Sequence, residues 1–151
     1  MKKFLTLITL VVVIVLSICL YTAFSTQQLD HNKQAAVAFL DSVVNKKDPI
    51  AAIQYLGPRF IQHDPDAEDG PKPLQDYIQF LRSKFPNAHY DFKNVFAEGD
   101  FVILHVHSIQ TPGTRGRVIV HIFKFEKGKI VEHWEVIEEI PATSKNNNGI
   151  F

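Results

Sequence analysis

Seven histidines are spread along this 151-residue chain. Imidazole is the side chain best matched to proton transfer near neutral pH. His121 stands inside the apolar run Val118-Ile119-Val120-His121-Ile122-Phe123, and His105 and His107 lie two apart in another. His63 ends a short extended piece, beside Asp64 and Pro65. Trp134, the only tryptophan, offers an apolar wall for a flat or cyclic ligand. Together they suggest a pocket in which His121 is the acid/base, His105 its polar partner and His63 a donor at the mouth. Trp134, His107, Phe123 and Tyr77 would hold the ligand. The plainer alternatives are that His105 and His107 face the outer surface or a subunit interface, that Trp134 is a core residue, and that His63 bonds the loop backbone. His31 and His89 read as surface residues. His105 and His107 point to one face of a strand and could form a His-only zinc site with His121. No carboxylate obviously completes it, so neither metal nor cofactor is expected. Glycines scattered at turns give no phosphate loop or nucleotide fingerprint.

These side chains need a scaffold. From Lys33 to Val44, Ala36, Val37, Phe39, Leu40, Val43 and Val44 recur at helical spacing. Asp48 followed by Pro49 predicts the cap and first turn of a short second helix ending near Gly57. Pro71 to Phe85 predicts a third, with Leu74, Tyr77, Ile78, Leu81 and Phe85 on its apolar face. Strands follow over residues 88–97, 101–110, 117–126 and 129–138, joined by turns at Glu98-Gly99-Asp100, Thr111 to Gly116 and Lys127-Gly128. Phe101-Val102-Ile103-Leu104 and Val118-Ile119-Val120 do not alternate, so the sheet is expected to be covered on both faces, by helices and by a second copy of the chain. The expected fold is α+β: a cone of three N-terminal helices packed on a strongly curved antiparallel sheet, with a blind pocket between them.

The Lys127-Gly128 turn sets an expected register. A two-residue loop opposes Glu126 to Lys129. Counting back, Phe125 faces Ile130, Phe123 faces Glu132 and His121 faces Trp134. Opposed residues share a face, so His121, Phe123 and Trp134 should line one side, with Glu132 the only nearby acid on that face. Pairing the previous hairpin odd with odd would add His105 and His107.

The first 25 residues are a separate unit. Lys2 and Lys3 precede an apolar run from Phe4 to about Ala23, the layout of a secretory signal. The run approaches the ~20 residues that cross a bilayer, and Ala23-Phe24-Ser25 is a weak cleavage site. Whether signal or anchor, it places the rest outside the cytoplasm, because the lysines stay inside. Residues 26–32 read as a tether, 33–142 as the domain and 143–151 as a polar tail. Cys19, the only cysteine, lies in the apolar run, so the domain has neither disulfide nor thiol chemistry. Sixteen basic residues balance sixteen acidic ones, so no general attraction to nucleic acid is expected.

Several motifs resemble one known family, the SnoaL-like polyketide cyclases. Phe60-Ile61-Gln62-His63-Asp64-Pro65 with Asp69-Gly70 resembles the family's YIQHNP…DG opening. Glu98-Gly99-Asp100-Phe101-Val102 and His105-Val106-His107 resemble its middle strand. Gly128 to Val136 resembles its GKIVEHWDV closing strand, and Asn146 to Phe151 an NNNGMF tail. The resemblance covers roughly His31 to Phe151. It implies the cone fold of ketosteroid isomerase and nuclear transport factor 2-like proteins, and cofactor-free aldol cyclisation in which a base takes a proton beside a carbonyl. In many members an Asp in a pattern like vDifR is the acid/base. Here that stretch is Val120-His121-Ile122-Phe123-Lys124, with His121 for the Asp and Lys124 for the Arg. The acid after the tryptophan is Glu135.

Three functions follow as expectations. The chain is a bacterial, exported or membrane-anchored lyase, isomerase or cyclase acting on a small apolar or aromatic carbonyl compound; or a binding module that depends on Trp134; or a homodimerisation domain on a membrane tether.

Overall fold

A computed structural model describes residues 2–151, with side chains from residue 12 onward. The chain opens with α1 (Lys2–Leu40), which passes into a π-helical turn at Asp41–Asn45. Next come α2 (Pro49–Ile53), β1 (Leu56–Gln62) and α3 (Pro71–Lys84). Strands β2 (His89–Glu98), β3 (Phe101–Ile109), β4 (Arg117–Glu126) and β5 (Lys129–Glu139) complete it. The sheet order is β1-β5-β4-β3-β2. The four long strands form the expected antiparallel meander. β1 departs from it by joining the edge parallel to β5, because a helix-containing segment, not a hairpin, connects them to the rest.

Local chemistry explains the boundaries. Asp48 caps α2, accepting from the backbone N–H of Ile50 and Ala51 at 3.0 Å each, with Pro49 in the first turn. Lys127 and Gly128 both have positive φ, the geometry of a two-residue hairpin turn. Buried Ala36, Phe39, Leu40, Leu74, Ile78 and Leu81 of the helices meet Val102, Leu104, Val106, Ile119 and Phe123 on the concave face of the sheet. Ring edges lock this core: Phe39 meets Phe123 at 5.5 Å and 90°.

Residues 26–32, expected as a tether, are helical and continuous with α1. They hold no Gly or Pro to stop a helix, and Asn32 is already buried and bonded to Gln28. The apolar stretch from Val12 to Phe24 stands exposed. Among the described residues this is the one helix long and apolar enough to cross a membrane, a property that signal sequences share.

Candidate active site

One irregularity decides which side chains meet. Glu126 opposes Lys129 and Phe125 opposes Ile130, as the turn dictates, but Lys124 opposes Glu132. Val131 is an extra residue, a β-bulge, and both Ile130 and Val131 are buried. A slip of one residue exchanges the faces of a strand. His121 therefore opposes Glu135, Phe123 opposes His133, and Trp134 opposes Ile122. The expected pairing of His121 with Trp134 is corrected by this bulge, and Glu132 is corrected to the convex face. The β3–β4 hairpin pairs odd with even: Leu104 opposes His121 and His105 opposes Val120. His105 and His107 accordingly leave the cavity, and the His-only metal arrangement falls with them.

The convex face gathers the displaced residues. His63 stacks on Trp134 at 4.2 Å and 1° between planes. His63 Nε2 lies 3.0 Å from Glu132 Oε2, whose other oxygen accepts from Lys124 at 2.8 Å. His105 and His107 lie against the ring of Phe151, at 5.4 and 4.7 Å, and His107 Nε2 donates to the Arg115 carbonyl. His63 and Trp134 thus form a stacked pair outside the pocket rather than a gate and a wall. The Phe151 contact ties the polar tail to the sheet.

The concave face holds a cavity of about 530 Å³ between α1, α3, the 63–70 loop and strands β1 to β5. Its walls are apolar where Phe39, Phe60, Leu74 and Leu81 contribute, and polar where His121, His133, Glu135, Tyr90 and Ser108 do. Of the residues expected from sequence, His121 and Tyr77 line this cavity. Phe123 packs behind, 4.7 Å from the His133 ring and parallel to His121. The Asn45 side chain clamps the Tyr90 backbone, accepting from its N–H and donating to its carbonyl. The π-helical turn thereby positions β2 over the cavity.

The histidines form a directed chain. His133 Nδ1 donates to Gln62 Oε1 at 2.7 Å. Its Nε2 is then a lone pair, which accepts from His121 Nδ1 at 3.0 Å. The same Nδ1–H lies 3.3 Å from Glu135 Oε2. His121 is 2% exposed, and its Nε2 is buried without a partner. Burial, reinforced by neighbouring His133, keeps His121 neutral by holding its pKa well below 6.5. Burial lowers His133 to about 4. Burial also raises Glu135 to about 7, helped by the charge of Asp64 on the same lining. Desolvation keeps the Tyr90 hydroxyl protonated far into the basic range.

Glu135 and His133 are what sequence reasoning missed. The adjacent apolar pair Ile130-Val131, close to the turn, was the one available signal: two consecutive buried residues in a strand are compatible with a bulge there. The donor atoms of His121, His133 and Glu135 lie within 4.8 Å of one another, a set that zinc accepts. The 3.0 Å between the imidazoles is also a hydrogen-bond length, and one shared proton accounts for it.

The sequence profile of the SnoaL-like polyketide cyclase family matches residues 34–144. No curated protein sequence matches the chain significantly. Among solved structures, TsrD of Streptomyces laurentii superposes with a TM-score of 0.61 at 19% identity, over 72% of this chain and 89% of TsrD. A SnoaL-like protein of unknown function from Burkholderia thailandensis gives 0.60 at 16% identity, over 73% and 96%. An NTF-2 like protein from Burkholderia xenovorans gives 0.60 at 18%, over 77% and 89%. At such identities the structural likeness establishes the fold alone. With the profile match spanning the end of α1, the two shorter helices, the cavity lining and all five strands, the chain belongs to the SnoaL-like polyketide cyclase family.

Proposed function

We propose that the protein is a cofactor-free isomerase or cyclase that removes a proton beside a carbonyl, with Glu135 as the base facing the substrate and His121 as its partner. The observation that carries this reading is the Glu135–His121 contact on the lining of the concave cavity. A base works best when its pKa lies near the operating pH, and Glu135, near 7, meets that condition. His121 itself is too deeply buried to meet substrate and too weak a base when empty. Its Nδ1–H instead steadies the ionised Glu135 carboxylate, while His133 and Gln62 fix its tautomer.

In the proposed step, a Glu135 oxygen takes the proton from the carbon next to the carbonyl. The C–H electron pair forms the enolate double bond, and the carbonyl π pair moves to oxygen. The Tyr90 hydroxyl, on the same lining, donates to that oxygen. Where a carbon–carbon double bond is conjugated to the enolate, Glu135 then returns the proton to the far carbon of that dienolate, the double bond shifts and the oxygen pair re-forms the carbonyl, completing an isomerisation. Alternatively, the enolate carbon attacks a second carbonyl and the new alkoxide takes the proton, closing a ring. The apolar walls suit an aliphatic or aromatic body.

In the same reading, the N-terminal helix carries the domain outside the cytoplasm as a signal or anchor, with Lys2 and Lys3 on the inner side. A second copy covers the convex face, where Phe96, Phe101, Ile103 and Val136 are exposed.

The test is hydrogen exchange. Full-length protein in detergent is incubated in D2O with a panel of 1,3-diketones and aryl ketones, and deuterium incorporation is followed by NMR. Catalysed exchange that falls on the order of a hundredfold in Glu135→Gln supports the reading. Exchange that survives in Glu135→Gln, or no exchange with any panel member, contradicts it.

A further inference from the structure

The N-terminal helix meets the domain at a defined end. α1 runs unbroken from Lys2 to Leu40, and it touches the sheet at points that follow its own order. His31 lies against Gly128 of the β4–β5 turn, its Nε2 3.3 Å from where a side-chain carbon would stand on that glycine. Phe39, further along, meets Phe123 in β4. Asn45, in the π-helical turn that continues α1, clamps Tyr90 at the start of β2. β2 and β4 run the same way, each antiparallel to β3, so the end of β4 and the start of β2 lie at opposite ends of the sheet. α1 thus travels the length of the sheet. It starts at the end that holds the turns Glu98-Gly99-Asp100 and Lys127-Gly128, and it finishes at the end that holds Tyr90 and Arg117.

The cavity opens at this second end. From β2 to β5 it is lined only by residues within 88–90, 108–121 and 133–137, and by none within 91–107 or 122–132. α1 adds Phe39 and Leu40 from its last turn. The exposed rim includes Asp66, Glu68, Tyr77, Arg117 and Ile137. At the other extreme, before it reaches the domain, α1 is apolar all round. Val12, Val13, Ile14, Val15 and Leu16 are consecutive, so they cover every side of the helix, and each is 49–57% exposed. A groove or a partner helix would need one apolar stripe, whereas a helix that is apolar on all sides is matched by hydrocarbon on all sides. Phe4 to Phe24 gives roughly 30 Å of helix, the thickness of a bilayer's hydrocarbon core.

We infer that α1, as a retained anchor, holds the domain with the turn end of the sheet toward the bilayer and the cavity mouth away from it. The ligand then enters from the aqueous phase: a dissolved carbonyl compound, not a lipid drawn from the membrane. This rests on the anchored form of the reading above. The heights follow from element geometry. Phe24 to His31 is roughly 10 Å of helix, and Lys127 back to Arg117 is roughly 30 Å of strand. A helix tilt of about 20°, usual in membranes, lowers such heights by less than a tenth. A lipid leaving the bilayer for this mouth would have to carry its acyl chains through water across that gap.

The test is energy transfer to the membrane surface. In full-length protein, Cys19→Ser removes the only native thiol, and one cysteine is placed at an exposed position: Glu126→Cys at the turn end, or Thr114→Cys at the mouth end. Each is labelled with a donor dye and reconstituted into phosphatidylcholine vesicles carrying a trace of headgroup-labelled acceptor lipid. Both proteins should float with the vesicles, and transfer from position 126 should exceed that from position 114 several-fold, as a separation of roughly 30 Å along the strands requires. Should either variant fail to fold, Asp100→Cys against Thr111→Cys repeats the comparison. Equal transfer, or stronger transfer from the mouth end, in protein that floats with the vesicles overturns the inference and leaves the anchor standing. Protein that stays in the aqueous fraction refutes the anchor and the inference with it. Hydrogen exchange by Glu135 needs no membrane, so the catalytic reading stands or falls separately.

Discussion

Replacing Glu135 by Gln should stabilise the protein at alkaline pH while removing its activity. The carboxyl is raised from its ordinary 4.5 to about 7, chiefly by burial and then by Asp64. At about 1.4 kcal/mol per tenfold change in acidity, folding costs the ionised form about 3 kcal/mol. The sign follows from proton binding. Between pH 4.5 and 7 the folded state holds a proton on Glu135 that the unfolded chain has released, so stability is present at low pH and lost as pH rises through this window. Above 7 the full cost applies. Gln keeps the shape and carries no charge. The variant should therefore exceed the parent by about 3 kcal/mol at pH 8, shrinking to about 1 kcal/mol at pH 5. For a domain of this size that is a rise of roughly 10 °C in Tm at pH 8. His133, lowered to about 4 by burial, pulls the other way: its contribution is full above pH 6.5 and is lost as pH falls. It is common to both proteins and drops out of their difference. Thermal unfolding of full-length parent and variant, from pH 5 to 8.5 in one detergent, reads this directly. A difference that is absent, or independent of pH, would refute the argument that Glu135 is a desolvated acid.

Three further predictions concern the chemistry. The rate of catalysed exchange should climb with pH to a plateau, with an apparent pKa near 7 belonging to the Glu135–Asp64 pair; a profile flat from pH 5.5 to 8.5 would contradict the base assignment. Trp134→Phe and His105→Gln, on the convex face, should leave exchange within about twofold of the parent, whereas Trp134 as a ligand wall would lose far more on substitution. Chelation with EDTA should leave exchange unchanged, and loss restored by zinc would reassign His121, His133 and Glu135 to a metal.

Much of the scaffold was legible because its punctuation is chemical. Asp48-Pro49, Pro71, Glu98-Gly99-Asp100 and Lys127-Gly128 each have a local reason to start or stop an element, and the structure places element ends at or beside them. The site was legible only in part. His121 and Tyr77 reach the cavity as expected, since their faces follow from β4 packing on the core and from the α3 stripe. The partners of His121 were misread because register propagates from a turn only while pairing is regular. Val131 adds one residue, and everything beyond it changes sides. Trp134 looked like a wall and lies outside; Glu132 looked like the acid on the face of His121, and Glu135 holds that place. Residues 26–32 looked like a linker by polarity, yet a polar segment without Gly or Pro simply extends the helix behind it.

The central claim is that this bulge brings His133 and Glu135 to His121 and fixes one chain of protons among them. Nitrogen-15 NMR of the imidazoles in the full-length protein tests it most directly. The account predicts that His121 and His133 both stay neutral at pH 6, each protonated at Nδ1, with the His121 Nε2 signal that of a bare lone pair. A His121 that titrates near 6.5, or carries its proton on Nε2, would contradict it.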